Sequence, residues 1–429
     1  MPKVAMIGAG STVFATRLIG DMLTYPELAD STITLVDVDQ QRLATTQAHA
    51  ERAVQQLGAG MRIEAPATRR EALEGADYVI VMVMIGGVAP FEVDIQVPAR
   101  FGIDQTVGDT LGPGGVFRGL RTIPFLLELA GEMEEVCPDA LLLNYANPMA
   151  INCWAMNAAT DIETIGLCHS VQGTARQLAG YCNIPADEVT YWVAGINHMA
   201  WFLRFEHQGQ DAYPLIWQAS EDPEIVAQDP IRFDLFKHFD YFVTESSNHM
   251  SEYIPYYRKN ADLITQYLPE KWDYPSFWPI DREASQEKVR ERLASTEPLD
   301  LSRSHEYGVQ IIHAIETNTP IRVNANVENT GLITNLPAGA CVEVPCLVDK
   351  TGVQPCHVGD LPTQLAALNL SNISVQEMCV TAALAGDRRM AMQAVLLDPL
   401  TAAILTPAQI EQMVDEMLDS QTDYLDYLQ

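Results

Sequence analysis

The chain has 429 residues, 48% hydrophobic and 19% charged, which excludes a disordered chain and fits two or three packed units. Lys and Arg number 26 against 57 Asp and Glu, a formal net charge of −31. That field argues against nucleic acid and anionic membrane surfaces as partners.

Eight cysteines with no C-x-x-C pair make a poor disulfide framework in a chain this long. They are expected to be mostly buried, reduced thiols. The opening MPKVAMIGAGS lacks the charged-then-apolar plan of a signal peptide, and no run reaches the ~18 apolar residues of a membrane span. The expectation is a soluble cytoplasmic protein.

Residues 4–7 form a short apolar run ending in Gly8-Ala9-Gly10. It reads as a buried parallel strand entering a tight turn, with helical spacing over 16–23. TITLVDVD (32–39), ADYVIVMVMIGG (76–87), ALLLNYANP (140–148) and ETIGLCHS (163–170) read as further strands. Strands alternating with helical stretches predict βαβ units around a parallel sheet. After about residue 170 the alternation fades. YWVAGINHMAWFLRF (191–205) is strand-like, and about 210–300 mixes helices and loops. Residues 320–349 predict antiparallel strands with turns at 329–331 and 337–339, and helices return from about Ser374. The fold class is α/β. A Rossmann-like dinucleotide domain (1–170) precedes a larger α+β domain (171–429) for substrate, metal and oligomerisation, with a site between them.

Gly8-x-Gly10 follows a strand and precedes a helix, so backbone amides could meet a pyrophosphate at the helix start. Gly8, Gly10, Ser11 and Thr12 are the candidate cofactor loop. The third fingerprint glycine is absent, since Val13 stands there. Asp37 ends the next strand and can accept ribose hydroxyls, favouring NAD over a 2′-phosphorylated cofactor. Asp39 is the competing acid.

Four clusters carry candidate chemistry. DTLGPGGVFRGLRTIP (109–124) places Asp109 ahead of Arg118 and Arg121, three apart on one helix. NYANP (144–148) offers Asn144 and Asn147 at the C-terminal end of a strand, where parallel sheets bind ligands. Cys168-His169 follows, and GINHM (195–199) supplies Asn197 and His198. Cys168 and His198 are far enough apart to be metal ligands joined by a fold, or a core thiol and a structural histidine.

These stretches, with IGAGS (7–11), LLNYANPMA (142–150), GLCHSVQGT (166–174) and AGINHMAWF (194–202), together resemble the family 4 glycoside hydrolases, glycosidases that need NAD and a metal. The likeness runs from residue 3 through YFVTESSNHMSEYIPYY (241–257) and GLITNLP (331–337) to about residue 400. Within the family, Cys-His-Ser-Val is most similar to the melibiase-type α-galactosidases; phospho-sugar members carry Cys-Asp or Cys-Asn. The resemblance implies a lactate/malate dehydrogenase-like fold.

It also implies a mechanism: NAD⁺ oxidises C3 of the sugar, a base removes the acidified C2 proton, and the C1 group is eliminated. Water then adds and the hydride returns. By the same resemblance, Cys168 and His198 hold the metal, and Tyr253 is the base, with Tyr256 and Tyr257 as neighbours that could replace it. His169 assists the leaving group or holds a hydroxyl. Asp109, Asn147, Asn197 and Arg118 or Arg121 meet the sugar. A thiolate and an imidazole alone suggest zinc; the resemblance implies Mn²⁺ or another divalent metal. The implied partner is a small-molecule α-galactoside, and the implied assembly a homodimer or homotetramer. Other readings are an α-glucosidase or α-galacturonidase of the same family, a 2-hydroxy acid dehydrogenase, and a non-catalytic NAD sensor. Neither of the last two explains Cys168 and the GINH motif.

Overall fold

The computed structural model describes residues 1–11, 14–268 and 274–429, apart from the side chains of 274–282. Thr12, one of the expected cofactor-loop residues, lies outside the described residues. The strands in chain order are β1 (Lys3–Ile7), β2 (Thr32–Val36), β3 (Arg62–Glu64), β4 (Tyr78–Val81), β5 (Leu141–Asn144), β6 (Thr164–Gly166), β7 (Val189–Ile196), β8 (Met199–His207), β9 (Gln210–Asp211), β10 (Ile321–Glu328), β11 (Cys341–Asp349) and β12 (Gly352–Pro355).

The first six strands lie in the order β3-β2-β1-β4-β5-β6 and pair in parallel. Their apolar runs are continuous because both faces are covered. Val4 and Met6 enter one core cluster while Ala5 and Ile7 enter another, and Ile80 and Val79 divide in the same way. Strand order reverses at β1, so the glycine turn after Ile7 sits at the switch point of the sheet. The helix Gln40–Leu57 starts at Asp39, whose carboxylate accepts from the amides of Gln41 and Arg42, and stops at Gly58 in the left-handed region.

The sheet continues as β10-β11-β7-β8-β9, antiparallel throughout, with β12 on β11. Two narrow contacts join this part: Asn326 of β10 bridges Gly166 of β6, and Glu343 of β11 bridges Gly195 of β7. The run 191–205 is therefore a hairpin rather than one strand. Asn197 and His198 form its two-residue turn, with His198 at φ 63°. The segment 163–170 is also shorter than expected. β6 stops at Gly166, and His169 stands at the N-cap of the helix Ser170–Tyr181.

The buried helix Gly112–Val136 runs between β4 and β5 and packs against Thr363–Ala385, so the C-terminal helices begin earlier than the sequence pattern suggests. Among the described residues, no helix is long and apolar enough to cross a membrane.

Candidate active site

Loops leaving the C-terminal ends of β4, β5 and β6 meet the β7–β8 turn and the segment 245–253. Cys168 follows β6 and His198 occupies the turn, and their Sγ and Nε2 atoms lie 3.3 Å apart. Glu245 completes a set: its Oε2 is 3.5 Å from His198 Nε2, and one ligand atom from each of the three residues lies within 4.8 Å of the others. A thiol, an imidazole and a carboxylate converging in this way form a donor set for a divalent cation.

Burial pushes the Cys168 thiol up to about 11, and the Glu245 carboxylate adds to the rise, against hydrogen bonds from Ser170 and Asn197. Burial also works against ionised Glu245, but His198 and His249 overcome it and hold that carboxyl well below its usual range. The site thus sets an ionised acid beside a thiol that burial keeps protonated near neutral pH.

Tyr253 is fully buried, and its hydroxyl lies between two imidazoles, 2.9 Å from His198 Nδ1 and 2.9 Å from His249 Nε2. Burial first, and the nearby Asp109, Glu245 and Glu252 after it, raise the phenol well above its ordinary value, against a hydrogen bond from Thr110. His249 is itself ringed by acids: Glu245 at 3.7 Å, Glu252 at 3.8 Å and Asp109 at 4.0 Å. The other two tyrosines lie elsewhere. Tyr257 donates to Asp234 at 2.6 Å, and Tyr256 is exposed and stacked on Phe239.

On the facing side, Asn147 Nδ2 donates to Asp109 Oδ2 at 3.0 Å. Arg118 Nε donates to the Asn147 carbonyl at 3.1 Å, and its Nη1 lies 3.7 Å from Asp109. Burial opposes charge on Asp109, but Arg118 and His249 outweigh it and lower its pKa. Asn197 is 1% exposed, and neither atom of its amide has a hydrogen-bond partner within ordinary distance among the described residues, although the side chain favours the Cys168 thiolate. Asn144 instead braces the loop, bonding the backbone of Ala146 in both directions.

Two expectations need correction. Arg121 does not reach this cluster. Its guanidinium is buried in a two-pronged pair with Asp94, at 2.9 and 2.5 Å, and also donates to Gln421. It shares a helix side with Arg118, but Asp94 on the helix Val88–Arg100 and Gln421 draw its guanidinium into the packing. His169 shares no strand with Cys168. Its side chain is 68% exposed at the cleft and 3.9 Å from Glu306.

Sequence reasoning missed Glu245, His249 and Glu343. The spacing Glu245-x₃-His249-x₃-Tyr253 was the available signal, although only the short helix Ser247–Met250 forms there. Glu343 offered none: it is fully buried, both carboxyl oxygens lack partners among the described residues, and burial together with Cys168 and Glu245 raises it far above the usual range.

At the dinucleotide end, the Gly8 and Ala9 amides donate to Val36 O, each at 2.9 Å, and Gly10 N–H donates to Asp37 Oδ2 at 2.7 Å. A Cβ on Gly8 would meet Met82 O at 2.7 Å, and one on Gly10 would meet the Asp37 carboxylate at 2.7 Å. Only glycine lets this turn close around the acid. The Ser11 carbonyl accepts from Ala15 N–H, in the helix Phe14–Leu23, at 2.9 Å. Asp39, the rival of Asp37, is committed to its helix cap.

The family model described as "Family 4 glycosyl hydrolase" matches residues 3–184, and "Family 4 glycosyl hydrolase C-terminal domain" matches 193–401. The chain belongs to the family 4 glycosyl hydrolases. It is 42% identical to an α-galactosidase of Bacillus subtilis (strain 168), over 99% of both chains. It is 39% identical to an α-galactosidase of Rhizobium meliloti (strain 1021), over 99% of this chain and 89% of that one.

Among solved structures, a 6-phospho-α-glucosidase from gut microorganisms, in complex with NAD and Mn²⁺, superposes with a TM-score of 0.86 at 21% identity, covering 99% of this chain and 98% of that one. Malate dehydrogenase from Plasmodium falciparum with NADH gives a TM-score of 0.53 at 13% identity, covering 90% of this chain and 99% of that one, a likeness of fold alone. The family 4 chain is therefore a glycosidase acting on a small-molecule sugar, on a dehydrogenase-like α/β scaffold.

Proposed function

We propose that the chain hydrolyses α-galactosides, using NAD and a divalent cation such as Mn²⁺. The observation that carries this is the Cys168–His198–Glu245 donor set with the Tyr253 hydroxyl 2.9 Å from His198, in a chain 42% identical to an α-galactosidase.

When bound, NAD supplies reversible removal of hydride from C3 of the sugar, and the cation stabilises negative charge on the oxygens beside it. Gly8, Gly10, Ser11 and Asp37 would hold the dinucleotide; Cys168, His198 and Glu245 would hold the cation. Asp109, Asn147 and Arg118 bind the sugar hydroxyls, and the unpartnered Asn197 amide adds a further contact. The Tyr253 oxygen takes the C2 proton, made acidic by the neighbouring carbonyl. His249 Nε2, 2.9 Å from that oxygen, orients it for the transfer, which would need a bound cation's charge to offset the burial that raises the phenol. His169, exposed at the cleft beside Glu306, gives a proton to the departing C1 oxygen. Water then adds at C1, and no pair of carboxylates spanning the bond is required.

A cytoplasmic homodimer or homotetramer completes the proposal. The free cysteines suit a reducing compartment, and Leu347 on β11 with Leu370 and Leu384 on the helix Thr363–Ala385 offer exposed apolar contacts.

The test is hydrolysis of 4-nitrophenyl α-galactoside with NAD⁺, Mn²⁺ and a thiol reductant each present or omitted. Activity should need all three, build up no NADH, and place solvent deuterium at C2 of the released galactose. Cleavage without NAD⁺, or product with its original C2 hydrogen, would sink the elimination route.

A further inference from the structure

Glu252 stands one position before Tyr253 and is 6% exposed. One of its carboxylate oxygens accepts three consecutive backbone N–H groups, from Thr106 at 2.6 Å, Val107 at 3.1 Å and Gly108 at 3.2 Å. Those three residues lead directly into Asp109. The other oxygen faces His249 Nε2 at 3.8 Å. Arg258 grips the same loop further back. Its Nε donates to the Asp104 carbonyl at 2.7 Å, and its Nη2 pairs with the Asp104 carboxylate at 2.9 Å. The Tyr253 carbonyl is fixed from a third side by Asn372 Nδ2 at 3.1 Å.

Two segments far apart in the sequence are therefore stapled side by side, one presenting Asp109 and the other Tyr253. We propose that Glu252 is a positioning residue that sets the placement of the Tyr253 hydroxyl against the sugar-binding carboxylate of Asp109. This rests on the glycosidase reading above. Glu252 Oε1 is taken up by the three amides, and the residue acts by reach, as an acceptor held at one distance from them. Small misplacements of reacting groups are costly because proton transfer needs near-contact geometry, and about 1 Å is worth about 100-fold in rate.

The experiment uses the full chain with NAD⁺ and Mn²⁺ and compares Glu252→Gln, Glu252→Asp and Glu252→Ala. Glutamine keeps the acceptor oxygen at the same reach and loses the charge. Aspartate keeps the charge and withdraws the oxygen by one methylene. We expect Glu252→Gln to retain kcat within about threefold, and Glu252→Asp and Glu252→Ala to lose about 10–100-fold. In the slow variants the kinetic isotope effect for C2-deuterated substrate should rise, as proton removal becomes limiting. Amide hydrogen exchange at 106–108 should quicken in them and not in Glu252→Gln.

The reverse order, slow Glu252→Gln and fast Glu252→Asp, would overturn the proposal in favour of a role for charge. Faster exchange with unchanged kcat and isotope effect would reduce Glu252 to a structural prop. If Glu252→Ala does not fold, the aspartate and glutamine pair alone decides. A wild type that cleaves no α-glycoside would refute the glycosidase reading, and this proposal with it. A defect confined to the slow variants leaves that reading standing.

Discussion

Arg118 and Arg121 sit one helical turn apart, and their replacements should fail in opposite ways. Arg121→Met removes a guanidinium that is 1% exposed from an Asp94 carboxylate that is 0% exposed. The methionine fills similar space, so the main loss is the counter-charge, and Asp94 is left buried with, among the described residues, Gln421 to bond its carboxylate. Breaking one side of such a pair costs about 3–5 kcal/mol. An unfolding entropy of about 2.1 cal/mol/K per residue gives about 0.9 kcal/mol/K for 429 residues, so Tm should fall by about 3–6 °C. The double variant Asp94→Asn/Arg121→Met should recover part of that, because no uncompensated charge remains. Where the protein stays folded, KM for 4-nitrophenyl α-galactoside should be unchanged.

Arg118→Met should do the reverse. It frees Asp109 and the Asn147 carbonyl at the cleft, lowering kcat/KM by about 10–100-fold, with about 1–2 kcal/mol of stability lost. Calorimetry and steady-state kinetics on both variants decide it. An Arg121→Met protein with Tm within about 1 °C of the parent and a tenfold higher KM would refute the assignment of Arg121 to packing.

Two further outcomes follow from the cluster around the thiol. Tyr253→Phe should lose about 10²–10⁴-fold in kcat while keeping NAD and Mn²⁺ affinity, and two buried imidazole nitrogens should lose their shared partner. Single-turnover kinetics with equilibrium binding would measure this, and a near-parental rate would move the base role elsewhere. Mn²⁺ affinity should depend on pH through Cys168, whose thiol is pushed up to about 11 by burial. The metal needs the thiolate, so binding releases a proton, and affinity should rise about tenfold per pH unit between pH 7 and 9. Electron paramagnetic resonance titrations of the apo protein read it directly, and a flat profile would remove Cys168 from the ligand set.

The parallel half of the fold was legible because strands covered on both faces are written as unbroken apolar runs, each closed by a turn or an acid. The same property hid the β7–β8 hairpin. Residues on both sides of Asn197-His198 are apolar and buried, so nothing in the pattern marks a reversal there. Cys168 and His198 could be named from the sequence; their meeting could not, because it depends on the two narrow bridges that carry the sheet from β6 through β10 and β11 to β7. Glu252 looked like any of the 57 acids and is separated from them by its burial, and Glu245 by its place beside His198. Arg118 and Arg121 share a helix side by spacing, but their neighbours are set by loops and helices distant in sequence.

The turn that aims His198 also bears on redesign of the site. At φ 63° this backbone position disfavours bulky or β-branched side chains, so His198 is constrained by its conformation as well as by its ring. Asn197 beside it is not held at a positive φ, and its side chain lies toward the Cys168 thiol. The two halves of one turn are thus unequal targets. On backbone grounds position 197 admits a wider range of side chains, and position 198 is the fixed post of the turn.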